Sequence, residues 1–170
     1  MSENDRRVES QVIVRELEKL TKDAKVLCAY LPYSDEPDIR PLLASRLKNG
    51  KTVGIPKQMN NGLKMYAIES LEDIGKNATT NLPEPPSDEP IEESTIDFVI
   101  IPGRAFTKTG IRLGRGNGGY DRWIEILKKT NPSAKLIGVC FESQIVQEIP
   151  VEPHDQPMDI VLTPTKIFQS

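Results

Sequence analysis

Apolar residues recur at near-helical spacing over residues 2–22, where Val8, Val12, Ile13, Leu17 and Leu20 form one stripe among charged positions. This predicts a helix docked by that stripe. Residues 25–31 (K-V-L-C-A-Y-L) switch to a short, nearly continuous apolar run, which suits a strand buried on both faces and ended by Pro32. Asp38 then caps a helix with Leu42, Leu43 and Leu47 on one face, Gly50 stops it, and residues 51–55 return as a strand before Pro56. Over residues 62–68, Leu63, Met65 and Ala67 alternate with Lys64 and Tyr66, the period of a strand with one wetter face. Residues 96–101 (I-D-F-V-I-I) are the clearest buried strand. Residues 118–129 read as a helix with Trp123, Ile126 and Leu127 inward, residues 135–141 as a strand, 142–148 as a short helix and 159–162 as a final strand. Buried strands alternating with amphipathic helices predict an α/β fold: a layered α/β/α sandwich with a largely parallel central sheet.

Length and charge narrow this picture. At 170 residues the chain is expected to form one domain over 1–170. The acidic, proline-rich stretch 83–94 (P-E-P-P-S-D-E-P-I-E-E-S) can be read as a linker, but a surface excursion is preferred because neither flank makes a comfortable separate core. A formal net charge of -3 argues against a general binder of nucleic acid or membrane surfaces. Neither a signal peptide nor an apolar run of membrane-spanning length is evident, so the expectation is a cytoplasmic protein, monomeric or a small homo-oligomer. Cys28 and Cys140 each sit inside an apolar run with no second ligand at metal spacing, which predicts packed, reduced thiols.

Against this acidic background residues 103–122 (G-R-A-F-T-K-T-G-I-R-L-G-R-G-N-G-G-Y-D-R) stand out. They hold six of the eleven glycines and five cations, Arg104, Lys108, Arg112, Arg115 and Arg122, with Asp121 the single acid. Such a stretch, following directly on the 96–101 strand, suggests an anion site in which backbone N–H groups and guanidinium groups meet phosphate oxygens; a flexible loop of solvated arginines is the alternative. Gly114-x-Gly116-x-x-Gly119 matches the dinucleotide fingerprint formally but not in context, since a polar loop precedes it and no acid follows at the required distance. Gly50-Lys51-Thr52 opens a strand, not a helix, and so is no phosphate-binding loop. His154 lies in a loop with no nucleophile to serve and reads as solvated. Asp121 and Asp155 could meet across the strand ends to hold Mg²⁺ with phosphate oxygens, or could each cap locally.

Taken together, Pro102-Gly103-x-Ala105-Phe106 and Gly110-x-Arg112-Leu113-Gly114-Arg115-Gly116-x-Gly118-x-Tyr120-Asp121-Arg122 resemble the signature of 5-formyltetrahydrofolate cyclo-ligases, also called 5,10-methenyltetrahydrofolate synthetases. Tyr30-Leu31-Pro32 with Glu36, Met65, Glu84-Pro85, Gln144, Pro150, His154-Asp155, Asp159 and Thr163 follow in the family's order, across residues 9–165. The resemblance implies an enzyme that uses ATP and Mg²⁺ to convert 5-formyltetrahydrofolate to 5,10-methenyltetrahydrofolate, releasing ADP and phosphate. It implies that Arg112, Gly114, Arg115, Gly116, Asn117, Gly118, Gly119 and Tyr120 line the nucleotide and the reacting phosphate, with Arg112, Arg115 and Tyr120 as the catalytic side chains. Asp121 and Asp155 would hold Mg²⁺. Leu31, Glu36 and Met65 would belong to the folate pocket, Glu36 as an acceptor for the pterin ring; plain core packing is the other reading of Leu31 and Met65. The chain departs from the family at Gly119, where a tyrosine is usual, and at Thr107, where aspartate is common. It also reads as starting after the family's leading K-x-x-L-R-like helix. A folate- or nucleotide-binding protein that has lost turnover therefore stands as the alternative function, and a nucleotide-binding domain acting on another small substrate as a third.

Overall fold

A computed structural model describes residues 1–116 and 118–170. Three helices, α1 (Glu3–Leu20), α2 (Arg40–Lys48) and α3 (Gly119–Thr130), surround strands β1 (Val26–Ala29), β2 (Thr52–Met59), β3 (Gly62–Ile68), β4 (Gly75–Lys76), β5 (Pro83–Glu84), β6 (Phe98–Pro102), β7 (Ala105–Thr107), β8 (Arg112–Leu113), β9 (Lys135–Val139), β10 (Ile145–Val146), β11 (Ile160–Leu162) and β12 (Ile167–Gln169). Seven of these form the main sheet in the order β12-β11-β9-β6-β1-β2-β3, and β10-β7-β8 form a small second sheet. The five inner strands of the main sheet are parallel, while β3 and β12 close its two edges antiparallel. This is the α/β/α sandwich expected.

Alternation along the parallel strands feeds two cores. Leu27 and Ala29 of β1, Ile100 of β6 and Ile137 and Val139 of β9 pack with Ile13 and Leu17 of α1 and Leu42 and Leu43 of α2. Cys28, Val99, Ile101 and Leu136 face the other way, onto Phe106 and onto Trp123, Ile124 and Leu127 of α3. Each fully buried leucine or isoleucine contributes roughly 1.5–3 kcal/mol through apolar area removed from water. Burial also disfavours thiolate, pushing the Cys140 thiol up to about 12 and that of Cys28 higher still.

Several sequence expectations change once the neighbours are in place. Val8 is exposed, while Ile13 and Leu17 are buried as expected and Ser10 is buried with them. Ser10 tolerates the interior because its hydroxyl accepts a hydrogen bond from the Asp38 N–H at 3.0 Å. Asp38 acts two residues before α2, accepting from the Arg40 N–H at 3.1 Å, while Ile39 precedes the helix without a side-chain cap. Pro56 does not end β2. Pairing with β1 stops at Gly54, so the proline's missing N–H falls where no neighbour requires it, and β2 runs on to Met59 against β3.

In α3 the inward residue is Ile124, and Ile126 is exposed. The helix expected over 142–148 is a single 3-10 turn, Glu142–Gln144, followed by β10. Phe141 lies beyond β9, and β12 follows the strand expected to be last. The 83–94 stretch clips onto the sheet edge: the Ile91 N–H donates to Met65 O at 2.7 Å and Pro90 bridges to Tyr66. An edge covered in this way offers little to a foreign strand.

Candidate active site

The chain leaves β1 in one direction to build β2 and returns at β6 to build the other half of the sheet. A crevice opens at such a reversal, at the carboxyl ends of the strands. Here it is a cleft of 470 Å³. One wall follows β1 (Tyr30, Leu31, Tyr33, Glu36), another follows β6 and includes β8 and the first turn of α3 (Gly103, Arg112, Gly114, Arg115, Gly116, Gly118, Tyr120, Asp121), and a third comes from the segment after β10 (Ile149, Glu152, His154, Asp155).

Residues 103–113 are more regular than a glycine-rich loop need be. β7 and β8 form a hairpin whose tip, Gly110, has a φ of +93°. The Gln144 side chain ties the hairpin's base to the sheet, donating from Nε2 to Gly103 O at 3.1 Å and Arg104 O at 3.2 Å. Its Oε1 meanwhile accepts from the Phe141 N–H at 2.8 Å. The polar run ahead of Gly114 is this hairpin turn.

Arg112 projects from β8 into the cleft wall, its side chain only 6% exposed. Nη2 donates to Asp121 Oδ2 at 2.9 Å, Nη1 reaches Pro102 O at 3.5 Å, and the guanidinium carbon lies 5.7 Å from the Tyr120 ring centre. Its Nε is fully buried and has no partner among the described residues. The guanidinium group as a whole borders the cleft, where an anionic ligand would offset its charge. Two glycines make the placement possible: a Cβ on Gly114 would stand 2.7 Å from Arg112 Nη1, and one on Gly103 3.0 Å from Arg112 Cγ. Gly118, with a φ of +64°, starts α3, whose first turn brings Tyr120 and Asp121 to the wall. The positive end of that helix adds to the pull on an anion.

Arg115 faces the opposite wall. Its Nη2 donates to Asp35 Oδ1 at 2.7 Å and Glu36 Oε1 at 3.1 Å, and its guanidinium lies 4.7 Å from the Tyr33 ring centre. The other Glu36 oxygen accepts from the Tyr33 N–H at 2.9 Å. Burial pushes the Glu36 carboxyl above the usual range, opposed by that N–H and by Arg115. Burial likewise keeps the Tyr120 phenol protonated. At the third wall His154 Nε2 is 3.1 Å from Glu152 Oε2 and 3.8 Å from Asp155 Oδ1, and Asp155 Oδ2 accepts from the Glu152 N–H at 2.8 Å. Ligand atoms of these three side chains lie within 4.8 Å of one another, an oxygen-rich set that suits a hard cation.

Of the residues expected at the site, Arg112, Gly114, Arg115, Gly116, Gly118, Tyr120, Asp121, Asp155, Leu31 and Glu36 share this cleft. Leu31 both lines the cleft and packs on the core beside β1. Met65 is outside the wall, 1% exposed in the core beneath α3. Gly119 is buried behind the wall, and Asn117 lies outside the described residues. Asp121 sits on Arg112, whereas Asp155 clusters with Glu152 and His154. Tyr33 and Asp35 escape the sequence reading. The available signal was an aromatic and an acid beside Glu36 in a proline-bounded loop after a buried strand.

The sequence model of the 5-formyltetrahydrofolate cyclo-ligase family matches residues 1–164. A 5-formyltetrahydrofolate cyclo-ligase of Mycolicibacterium smegmatis is 34% identical over 158 residues, covering 88% of this chain and 79% of that protein. The enzyme of that name from Escherichia coli is 29% identical over 152 residues, covering 86% and 81%. The solution structure of Aquifex aeolicus 5,10-methenyltetrahydrofolate synthetase superposes with a TM-score of 0.83 at 30% identity, covering 99% of this chain and 84% of that one. With much of its signature lining one switch-point cleft, the chain belongs to the 5-formyltetrahydrofolate cyclo-ligase family, whose members are ATP-dependent ligases.

Proposed function

We propose that this protein converts 5-formyltetrahydrofolate and ATP to 5,10-methenyltetrahydrofolate, ADP and phosphate. The observation that carries the reading is the Arg112 guanidinium, held by Asp121 in the wall of a cleft whose facing wall offers a carboxylate and an aromatic ring. The formyl oxygen is a poor leaving group. In the reaction it attacks the γ-phosphorus, forming an O–P bond as the bond to ADP breaks; N10 then attacks the activated carbon and loses its proton, and the C–O bond breaks to release phosphate. Such chemistry depends on positioning and charge neutralisation more than on a protein nucleophile.

Arg112, oriented by Asp121, meets the transferring phosphoryl group, and Gly114, Gly116 and Gly118 with the first turn of α3 cradle the remaining phosphates. Tyr120, held protonated by burial, is a weak acid that can donate a hydrogen bond to a substrate oxygen. Leu31 and Glu36 face the folate, Glu36 accepting from the pterin ring. The carboxylates of Glu152 and Asp155 offer oxygens that fit Mg²⁺, and Asp121, lining the same cleft, would join Asp155 in holding it, where it would supply further neutralisation of phosphate charge. We assign the protein to the cytoplasm as a monomer or small homo-oligomer without nucleic-acid or membrane partners; among the described residues no helix is long and apolar enough to cross a membrane.

Purified protein mixed with 5-formyltetrahydrofolate, ATP and Mg²⁺ is expected to develop the absorbance of the methenyl product, and EDTA is expected to abolish it. Binding of both ligands with no product at high enzyme concentration would identify the non-catalytic alternative instead.

A further inference from the structure

Arg115 and Glu36 are 79 residues apart in sequence and belong to opposite walls of the cleft, yet each is the other's ion-pair partner. Their environments differ sharply. The Glu36 side chain is 4% exposed, that of Arg115 40% and that of Asp35 57%. An exposed pair such as Arg115–Asp35 is worth about 0–1 kcal/mol. The contact with Glu36 is the consequential one, because a buried carboxylate stripped of its partner must find another donor.

Only one oxygen of Glu36 is exchangeable, since Oε2 is fixed by the Tyr33 N–H within its own loop. Among the described residues, Oε1 is held only by a side chain from across the cleft. That side chain also lies against the face of the Tyr33 ring, which itself lines the cavity. Arg115 therefore masks two recognition features at once, a carboxylate oxygen and an aromatic face, and a flat heterocycle bearing N–H donors requires both. Arg115 stands between Gly114 and Gly116; Gly116 has a φ of +92° and open space where a side chain would be, so the backbone there can turn without collision.

We propose that Arg115 couples the two halves of the cleft: a polyphosphate on the glycine-rich loop draws the guanidinium off Glu36, and the exposed carboxylate and Tyr33 ring then receive the heterocycle. The inference rests on the reading of the cleft as an ATP and reduced-folate site. Linkage makes the effect reciprocal, so each ligand tightens the other by the same factor. Arg115 is thus a positioning residue for the heterocycle as well as a contact for the phosphates.

Titration calorimetry on the full chain tests this by measuring the affinity for 5-formyltetrahydrofolate with and without a saturating non-hydrolysable ATP analogue and Mg²⁺. In the unmodified protein the analogue is expected to tighten folate binding by about ten-fold, a typical coupling between sites. Arg115→Ala is expected to bind folate alone at least as well as the parent and to show a ratio near one. Glu36→Gln, which removes the charge that holds Arg115 while keeping the side chain's shape, is expected to lose the coupling too, and Asp35→Asn to keep it. A purely structural Arg115 would weaken both ligands and leave their ratio unchanged. A ratio of one in the unmodified protein, or ten-fold coupling surviving in Arg115→Ala, overturns the proposal and leaves the functional reading standing. Failure of the unmodified protein to bind either ligand overturns both.

Discussion

Replacing Arg112 by alanine is expected to lower kcat/KM by about a thousand-fold, the upper range for deleting one preorganised donor to a developing anion. Two losses combine. In the proposed reaction the phosphoryl group would forfeit a guanidinium whose charge already stands in the cleft wall before substrate arrives. Asp121 also forfeits its partner at 2.9 Å. With one member of this largely buried pair removed, the stranded carboxylate destabilises the fold by about 3 kcal/mol. Arg112→Lys separates charge from geometry. Lysine keeps the charge but cannot donate to Asp121 and to a ligand through one planar fork, so a loss of about a hundred-fold is expected even from a well-folded variant. Steady-state kinetics beside thermal melts would decide: Arg112→Lys within three-fold of the parent would mean that the fork is not used.

The second large effect concerns stability. Gly110→Ala is expected to lower the melting temperature by about 6–12 °C, from about 3 kcal/mol of destabilisation at roughly 2–4 °C per kcal/mol for a chain of this size. Gly110 sits at a φ of +93°, where a side chain is strained, and its added Cβ would stand 2.5 Å from the backbone oxygen of Met158. Retreat is blocked, because the Met158 N–H donates to Gly110 O at 2.8 Å and fixes the hairpin tip to the segment entering β11. Gly62→Ala supplies the control. It has a φ of +128° but nothing within 4 Å of a new Cβ, so only the conformational cost of about 1 kcal/mol applies. Scanning calorimetry of the two variants separates collision from backbone strain; equal melting temperatures would show that the hairpin tip yields.

The buried parallel strands were legible because burial on both faces leaves a continuous apolar run, as in 25–31, 96–101 and 135–141. Short strands were not. β10 has two residues and β12 three, too few to show a period, and each exists because a neighbour supplies its hydrogen bonds. Pro56 reads as a stop until the extent of β1 is known. Ile124 and Ile126 both suit the apolar stripe of α3, and only the position of the sheet chooses between them. At the site, the glycines and arginines announced an anion, and family resemblance gave them an order. The partnership of Arg115 with Glu36, and the burial of Met65 beneath the wall, depend on how distant loops meet, which no local pattern encodes.

The strand order also bears on how the chain reaches this structure. β1 lies between β2, which follows it closely, and β6, which arrives only after a long detour; the Asp97 carboxylate that receives the Val26 N–H is 71 residues away. The β2–β3 hairpin, by contrast, is wholly local. A sheet whose central seam joins such distant segments must overcome the entropy of closing a long loop before its ladder repays it. Refolding is thus expected to be slow beside that of helical bundles, with the hairpin ahead of the seam, and the fluorescence of Trp123, buried against the far side of that seam, would time the later event.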